Sequence, residues 1–410
     1  MALSRAMRIS HRIAHLTADG SGGWGLYFRA RALQAAGVEI ADLTIGEHDE
    51  RTHPAILAAM DAAARGGHTG YAAIRGTETL RAAVAARVAA RTGVATGPEN
   101  VLITPGGQAA LFAAHHLVGE AGDRALFVDP YYATYPGTIR GAGLVPVAAP
   151  ARAGDGFLPR AAEVEARAEG AVSLLLNTPN NPTGAVYPEA TLAALAEVAR
   201  ARNLWVISDE VYDSQVWAGR HVSIRALPGM AERVLVVGSM SKSHAMTGSR
   251  VGWIVGPADA IAALSVLSTH TTYGVPGFVQ DAAEYALSRG EAFEAAVAAP
   301  FRRRRDMAMA RLAGQDVVRA VPAGGAMYVM LDIRETGLSG EDFAARLLDE
   351  ARIAVMPGES FGTAAAGHVR VALTIPDAAF AVAFGGLLDF AAALAEIHAR
   401  RPADGRARSG

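Results

Sequence analysis

The fold of this chain is predicted by one stretch, Val234-Leu235-Val236-Val237-Gly238-Ser239-Met240-Ser241-Lys242. An apolar run rich in β-branched residues indicates a buried strand, and the small polar residues after it indicate the loop in which the strand ends. Lys242 lies in that loop. It is either an ordinary surface lysine or an amine in a partly dry pocket, where burial lowers its pKa and makes it nucleophilic. Taken alone, the stretch favours the surface lysine, so the rest of the chain has to decide.

Apolar runs of the same kind recur along the chain. They are found at residues 101–103, 125–128, 144–147, 172–176, 204–207 and 251–255. Helical segments, such as residues 108–118 and 189–202, separate several of them. This alternation is typical of a largely parallel sheet with helices on both faces. We therefore predict an α/β fold with a mostly parallel, seven-stranded sheet.

The chain is long enough for two domains, since it has 410 residues, of which 51% are hydrophobic and 19% are charged. Its later part contains a basic helix start at residues 302–305, strand-like runs at 327–331 and 369–373, and a helix at 340–350. These indicate a smaller α+β unit that has the N-terminal segment as its companion. We predict a large domain over residues 50–297 and a discontinuous small domain over residues 1–49 and 298–410.

Composition limits the partners of the protein. The formal net charge of -2 gives no basic footprint for nucleic acid. The chain has no cysteine, which excludes disulfides, zinc–thiolate sites and thiol nucleophiles. The apolar segment 380–397 contains the charged residues Asp389 and Glu396, and its large apolar residues fall near helical spacing, which predicts an amphipathic core helix rather than a membrane span. Arg12 and His15 interrupt the apolar run that a signal peptide needs, so we expect a cytoplasmic protein that acts on small molecules.

Polar side chains stand at or directly after five of the predicted strands: Thr104, Asp129, Asn177, Asp209 and Ser239. In open α/β sheets, ligands bind outside the carboxyl ends of the strands. Any one of these residues is explained as well by an ordinary turn. The five together predict one site at that edge of the sheet.

Two of these strand ends suit a phosphorylated cofactor that carries a ring nitrogen. Gly106 and Gly107 lie where a strand passes into a helix, and backbone N–H groups at such a position bind phosphate. The alternative is an ordinary glycine-rich turn, and neither a Walker loop nor a dinucleotide fingerprint is present. Asp209 has no neighbours at metal-ligand spacing, so a buried carboxylate paired with a protonated ring nitrogen fits better than a metal site.

Residues spread over nearly the whole chain resemble, in their order and spacing, the signature of class I and II aminotransferases. These are fold type I enzymes that use pyridoxal 5′-phosphate. The set consists of Tyr71, Gly106-Gly107, Tyr132 after Asp129-Pro130-Tyr131, Asn181-Pro182-Thr183-Gly184, Asp209-Glu210-Val211-Tyr212, Ser239-x-Ser241-Lys242, Arg250 and Arg370. The resemblance implies an enzyme that moves the amino group of an L-α-amino acid to a 2-oxo acid by a ping-pong mechanism.

The resemblance also implies a role for each residue at the ring of the cofactor. Lys242 would hold the cofactor aldehyde as a Schiff base and then shuttle a proton. Asp209 would keep the pyridine nitrogen protonated, so that the ring accepts electrons. Asn181 and Tyr212 would bind the phenolic oxygen of the ring. Tyr132 would stack on the ring face.

The remaining implied roles concern the phosphate, the substrate and the second subunit. Residues implied at the phosphate are Gly106, Gly107, Gln108, Ser239, Ser241 and Arg250. Arg370 would grip the substrate carboxylate with its planar fork, beside Gly46 and Asn181, whereas the alternative for Arg370 is an exposed strand residue. Tyr71 would reach the phosphate of a neighbouring subunit. The resemblance therefore implies a homodimer.

Departures from the family pattern bear on the substrate. Some aspartate enzymes of the family have lysine where this chain has Gln108, and many relatives have tryptophan where it has Tyr132. Residues 221–223, 227–230, 241–248 and 324–330 are most similar to members that transfer the amino group of arginine to pyruvate. We therefore predict arginine or another basic amino acid as donor. Glu47 and Asp49 are candidate partners of a guanidinium, or simply parts of a solvated loop.

Two other functions are compatible with parts of this pattern. The same cofactor supports β-elimination and oxidation of an amino acid, and the Schiff-base lysine does not decide which bond breaks. A cofactor-sensing regulator would carry a DNA-binding unit as well, which the near-neutral charge does not favour.

Overall fold

Residues 7–17 and 24–400 are described by a computed structural model of the chain. The parts of the predicted small domain at residues 1–6, 18–23 and 401–410 lie outside the described residues. The described helices are α1 His11–Ala14, α2 Gly25–Ala35, α3 Pro54–Arg65, α4 Glu78–Thr92, α5 Gly106–Val118, α6 Tyr135–Gly141, α7 Ala161–Glu165, α8 Glu189–Ala201, α9 Met240–Ser243, α10 Ala258–Thr269, α11 Gly277–Ser288, α12 Gly290–Leu312, α13 Gly340–Ala351 and α14 Asp377–Arg400. The described strands are β1 Ala41–Asp42, β2 Val101–Thr104, β3 Arg124–Asp129, β4 Val145–Pro150, β5 Ala171–Asn177, β6 Trp205–Asp209, β7 Val234–Ser239, β8 Gly252–Val255, β9 Arg319–Ala320, β10 Tyr328–Asp332, β11 Ile353–Ala354, β12 Met356–Pro357 and β13 His368–Ala372.

The large sheet has seven strands in the order β2-β8-β7-β6-β5-β3-β4. Every neighbouring pair is parallel except those that include β8, which runs antiparallel to β2 and β7. The connection from β7 to β8 contains the four-residue helix α9 and no long crossover helix, so the chain turns back instead of crossing over. The predicted α/β fold with a mostly parallel, seven-stranded sheet is confirmed.

A smaller α+β unit lies beside the large sheet. It contains the antiparallel sheet β12-β13-β10-β9, and the N-terminal strand β1 pairs with β11. The expected helix start at residues 302–305 is wrong, because these arginines lie within α12, which begins at Gly290. That helix runs through residues 297 and 298, so the predicted domain boundary falls inside a continuous helix and remains a prediction.

Helix α14 is the one helix of the described residues that is long and apolar enough, by length and composition, to cross a membrane. Its side chains Phe380, Phe384 and Leu387 are fully buried in the core that the helix shares with β10 and β13. Val382, on another face, is exposed. This one-sided burial is what an amphipathic core helix requires.

Candidate active site

A cavity of about 370 Å³ lies at the carboxyl edge of the large sheet and reaches the smaller sheet. We call it the site cavity. Twelve of the fourteen predicted site residues line it: Gly46, Gly107, Gln108, Tyr132, Asn181, Asp209, Tyr212, Ser239, Ser241, Lys242, Arg250 and Arg370. Gly106 lies directly beside the cavity, against Arg250. Tyr71 is not part of its lining.

Lys242 extends from the short helix α9 into the site cavity. Its Nζ donates a hydrogen bond to the carbonyl oxygen of Gly46. Burial lowers the pKa of Lys242 to about 8, against the opposing effect of the nearby Glu47 carboxylate. The structure therefore places this amine in a partly dry pocket, where an appreciable fraction is neutral and nucleophilic near neutral pH.

Asp209 ends strand β6 and is only 4% exposed. Its Oδ2 accepts a hydrogen bond of 2.6 Å from the Tyr135 hydroxyl, and its Oδ1 accepts one of 3.3 Å from the backbone N–H of Val211. Burial raises the pKa of Asp209 to about 6. No lysine, arginine or histidine of the described residues forms a salt bridge with this carboxylate. A buried carboxylate of this kind is stabilised by a cationic partner, and a protonated ring nitrogen would be one.

The opposite end of the site cavity suits a phosphate group. Helix α5 begins at Gly106 without a side-chain cap, so the N–H groups of its first turn remain available to a ligand. Gly106 has φ +81, and a Cβ there would lie 2.4 Å from Nη2 of Arg250. The hydroxyls of Ser239 and Ser241 lie 2.9 Å apart at the same end. Backbone donors, hydroxyls and one guanidinium together form a site for a dianion.

Arg370 lies on β13 and is buried, with 2% of its surface exposed. Its Nη1 donates to Oδ1 of Asn181 at 2.8 Å, and its Nη2 donates to the carbonyl oxygen of Thr44. The rings of Tyr328 and Phe361 lie 4.3 and 4.4 Å from its Cζ. Nε has no hydrogen-bond partner, and no carboxylate of the described residues pairs with the guanidinium. A buried cation without an anion is suited to receive the carboxylate of a substrate.

Not all of the strand-end residues converge. Asp129 accepts hydrogen bonds from Thr363 Oγ1 at 3.1 Å and from the N–H of Ala364, because a loop of the smaller unit covers that strand end. Thr104 donates to the carbonyl oxygen of Gly106 at 3.1 Å. Neither residue lines the site cavity, so the expectation of a single site is wrong for these two.

The two acidic candidates for a guanidinium have different surroundings. Asp49 forms a bidentate salt bridge with Arg304, at 3.0 and 2.7 Å, and is therefore already paired. Glu47 lines the site cavity, where its Oε1 accepts a hydrogen bond of 3.0 Å from Thr247 Oγ1. Only Glu47 remains a candidate.

Tyr71 lies in the segment between α3 and α4 and is 91% exposed. Its one ring contact is with Tyr273, at 5.1 Å between centroids. The structure therefore places it on the surface of its own chain.

Sequence reasoning missed Tyr135, Tyr328 and Trp24, which all line the site cavity. Tyr135 follows the predicted Tyr132 by three positions, a spacing that could have suggested a shared helical face. The hydroxyl of Tyr328 lies 3.1 Å from that of Tyr212, a contact across 116 residues that no local pattern reveals. No pattern in the sequence around Trp24 indicates that it lines the site.

The chain is similar to known proteins in both sequence and structure. The model of the family "Aminotransferase class I and II" matches residues 38–385. An arginine–pyruvate transaminase of Pseudomonas aeruginosa is 42% identical over 370 residues, which are 90% of this chain and 94% of that protein. A probable aspartate/prephenate aminotransferase of Thermus aquaticus is 37% identical over 347 residues, 84% of this chain and 89% of that protein. The solved structure of Thermus thermophilus aspartate aminotransferase with maleate has a TM-score of 0.87 at 32% identity, over 94% of this chain and 100% of that one.

Proposed function

Because the chain belongs to the class I and II aminotransferases, which use pyridoxal 5′-phosphate, we propose that it moves the amino group of a basic L-α-amino acid, foremost arginine, to a 2-oxo acid such as pyruvate. The similarity to the arginine–pyruvate transaminase of Pseudomonas aeruginosa supports this choice of substrates. The observation that carries the proposal is the set of charges that line the site cavity.

The residues of the site cavity fit the cofactor at three points. Bound pyridoxal 5′-phosphate supplies an aldehyde that takes up an amino group and a ring that accepts electrons. Lys242 is the amine that would bind the aldehyde carbon, and its Nζ would then carry the proton to and from the Cα of the substrate. Asp209 would hold the proton on the ring nitrogen. The first turn of α5 and Arg250 would bind the phosphate.

Further side chains would orient the ring and the substrate. Tyr132 would lie on the ring face, and Asn181 and Tyr212 would bind its phenolic oxygen. Since Oδ1 of Asn181 accepts from Arg370, the amide nitrogen of Asn181 is the group left to donate. Arg370, with Gly46 nearby, would bind the α-carboxylate.

The charges of the site cavity favour a basic donor over an acidic one. Its described cationic side chains are Lys242, Arg250 and Arg370, each of which has a proposed role at the cofactor or the α-carboxylate. No further described cation is left for a second carboxylate. Gln108 is neutral, and its amide is already hydrogen-bonded to Thr138 at 2.6 Å and to Thr134 at 3.0 Å, so it does not replace a cation. Glu47 is the remaining carboxylate, and it would face the distal cation of the donor.

We expect arginine to be a better donor than citrulline, which has the same length but a neutral end. One charge-assisted contact corresponds to about a tenfold difference in kcat/KM. Steady-state assays with pyruvate would measure both donors, with aspartate as the acidic comparison. The Glu47→Gln variant is the control: because loss of this charge also affects Lys242 with both donors, the expected result is a smaller ratio of the arginine rate to the citrulline rate.

The products distinguish this proposal from its alternatives. Transfer to pyruvate yields alanine in equal amount to the donor consumed. Release of free ammonia in place of alanine would instead identify elimination or oxidation, and a preference for aspartate would contradict the basic donor.

We also propose a homodimer in which Tyr71 completes the phosphate site of the partner subunit. Its support is that Tyr71 lines no part of the cavity in its own chain and is almost fully exposed. We propose the cytoplasm as the location of the protein; the buried face of α14 is that of a core helix rather than of a membrane span.

Hybrid dimers test this arrangement. Tyr71→Ala and Lys242→Ala chains, each impaired alone, would form mixed dimers in which one of the two sites is intact. Purified through two different tags, these hybrids should regain about half of the wild-type activity. Hybrids no more active than a mixture of the two separate variants would contradict a shared site.

A further inference from the structure

Tyr135 is the closest polar contact of the Asp209 carboxylate. The hydroxyl of Tyr135 donates to Oδ2 of Asp209 at 2.6 Å, and both side chains are buried. Oδ1 receives only the longer bond of 3.3 Å from the N–H of Val211. The two oxygens of Asp209 are therefore unequal: Oδ2 is held by a short bond, and Oδ1 keeps more of its capacity for another donor.

We infer that Tyr135 is a positioning residue, which holds Asp209 ionised and oriented so that its carboxylate can pair with the protonated ring nitrogen of the cofactor. This inference rests on the proposed role of Asp209. Because Tyr135 acts through Asp209 on the cofactor, its effect should be the same with every amino donor.

The hydroxyl of Tyr135 is the donor in its hydrogen bond with Asp209. Burial and the adjacent Asp209 raise the pKa of Tyr135 well above its usual value, so the phenol stays protonated. A protonated phenol stabilises the charged form of a carboxylate that accepts from it. This hydrogen bond lowers the pKa of Asp209 and so acts against the increase that burial causes. Without it, the carboxylate would favour its neutral form and lose its attraction for a cationic ring nitrogen.

Tyr135 is itself held in place. It is the first residue of helix α6 and is 3% exposed. Its ring packs edge-on against Tyr132, with 5.7 Å between the centroids. Tyr132 is the residue proposed to lie on the face of the cofactor ring. One short segment, which ends in helix α6, therefore supplies both Tyr132, proposed at the ring face, and Tyr135, which acts on the partner of the ring nitrogen.

The Tyr135→Phe variant tests the inference, because it removes the hydroxyl and keeps the ring. We expect the cofactor to bind about tenfold more weakly, measured by equilibrium dialysis of the cofactor-free protein with pyridoxal 5′-phosphate. The loss should be larger near pH 6 than near pH 8, because loss of the donor raises the pKa of Asp209 from about 6. The turnover number should fall by a similar factor with every donor, while KM for the donor stays unchanged.

Two further variants separate positioning from a general loss of packing. Tyr187→Phe removes another buried hydroxyl, which lies outside the site cavity, and should leave cofactor affinity unchanged. In an Asp209→Asn background, Tyr135→Phe should cause no additional loss of affinity. Wild-type affinity in Tyr135→Phe, or an equal loss in both backgrounds, would overturn the inference. Failure of the proposed function would appear differently, as a wild-type protein that uses no basic donor.

Discussion

Replacement of Lys242 by alanine is expected to lower kcat by about 10⁴-fold, because one amine is proposed both to bind the aldehyde carbon and to move the proton at Cα. Its geometry supports both tasks: Nζ lies in the site cavity, where it donates to the carbonyl oxygen of Gly46, and its pKa is lowered to about 8 by burial. Single-turnover and steady-state assays with arginine and pyruvate would measure the loss. The visible absorption of the loaded protein should change as well.

A chemical control separates the missing amine from a damaged fold. Added methylamine can enter the space left by the lysine side chain and should restore part of the proton-transfer rate of Lys242→Ala. The same amine should not help Asp209→Ala, in which Lys242 is present. Full activity in Lys242→Ala without added amine would remove this residue from the mechanism.

Replacement of Arg370 by methionine is expected to lower kcat/KM by about 10²–10⁴-fold, since two charge-assisted bonds of about 1.5–3 kcal/mol each would be lost. The effect should appear with every donor and acceptor, because all of them carry an α-carboxylate. Arg370→Lys should recover only part of this loss, since an ammonium cannot form the planar pair of bonds. Kinetics with arginine, citrulline and pyruvate would measure the change.

Stability gives an independent check on Arg370. In the wild-type protein without ligand, the buried Arg370 guanidinium has no anionic partner, which lowers stability. Arg370→Met removes this desolvation cost, but it also leaves the acceptor oxygens of Asn181 and Thr44 without a donor. We expect these effects to offset to within about 1 kcal/mol of the free energy of unfolding.

Arg304 provides the matched comparison. It is also buried, but it is paired with the partly exposed Asp49 and Asp377, so Arg304→Met should cost about 3 kcal/mol. Denaturant unfolding of both cofactor-free variants would test the contrast. An equally large loss in Arg370→Met would show that Arg370 is structural rather than a receptor for the substrate.

Much of the large domain could be predicted from local pattern. The runs that became β2 to β8 are short and apolar, and most of them are buried, so the local pattern was enough to predict them as strands. The direction of β8 could not be predicted in this way, because it depends on how the chain turns back after α9. The extent of α12 was also missed, since its arginine-rich part resembles a helix start when it is considered alone.

Asp209 and Ser239 could be predicted at the site because they end strands whose carboxyl ends lie at one edge of the sheet, and most of the other site residues were implied by the family resemblance. Asp129 shows the limit of that reasoning. It ends β3 as Asp209 ends β6, and the two have the same side chain. Thr363 and Ala364 bind the first, and Tyr135 binds the second, so only the second lies in the site cavity. Nothing in the sequence of either strand predicts which of the two aspartates lies in the site cavity.

From residue order alone, this protein could be identified as an α/β enzyme of its family, with Lys242, Asp209 and Arg370 as its central residues. The protonation and pairing of these groups depend on atoms within 3 to 4 Å, and such neighbours come from remote parts of the chain. Asp209 and Tyr135 are 74 residues apart, and Arg370 meets Asn181 across 189 residues. Only the packing of the two sheets decides that Lys242 is partly dry, that Asp209 has a phenol beside it and that Arg370 has no anion, because burial and charge pairing are properties of the assembled volume and not of any one segment.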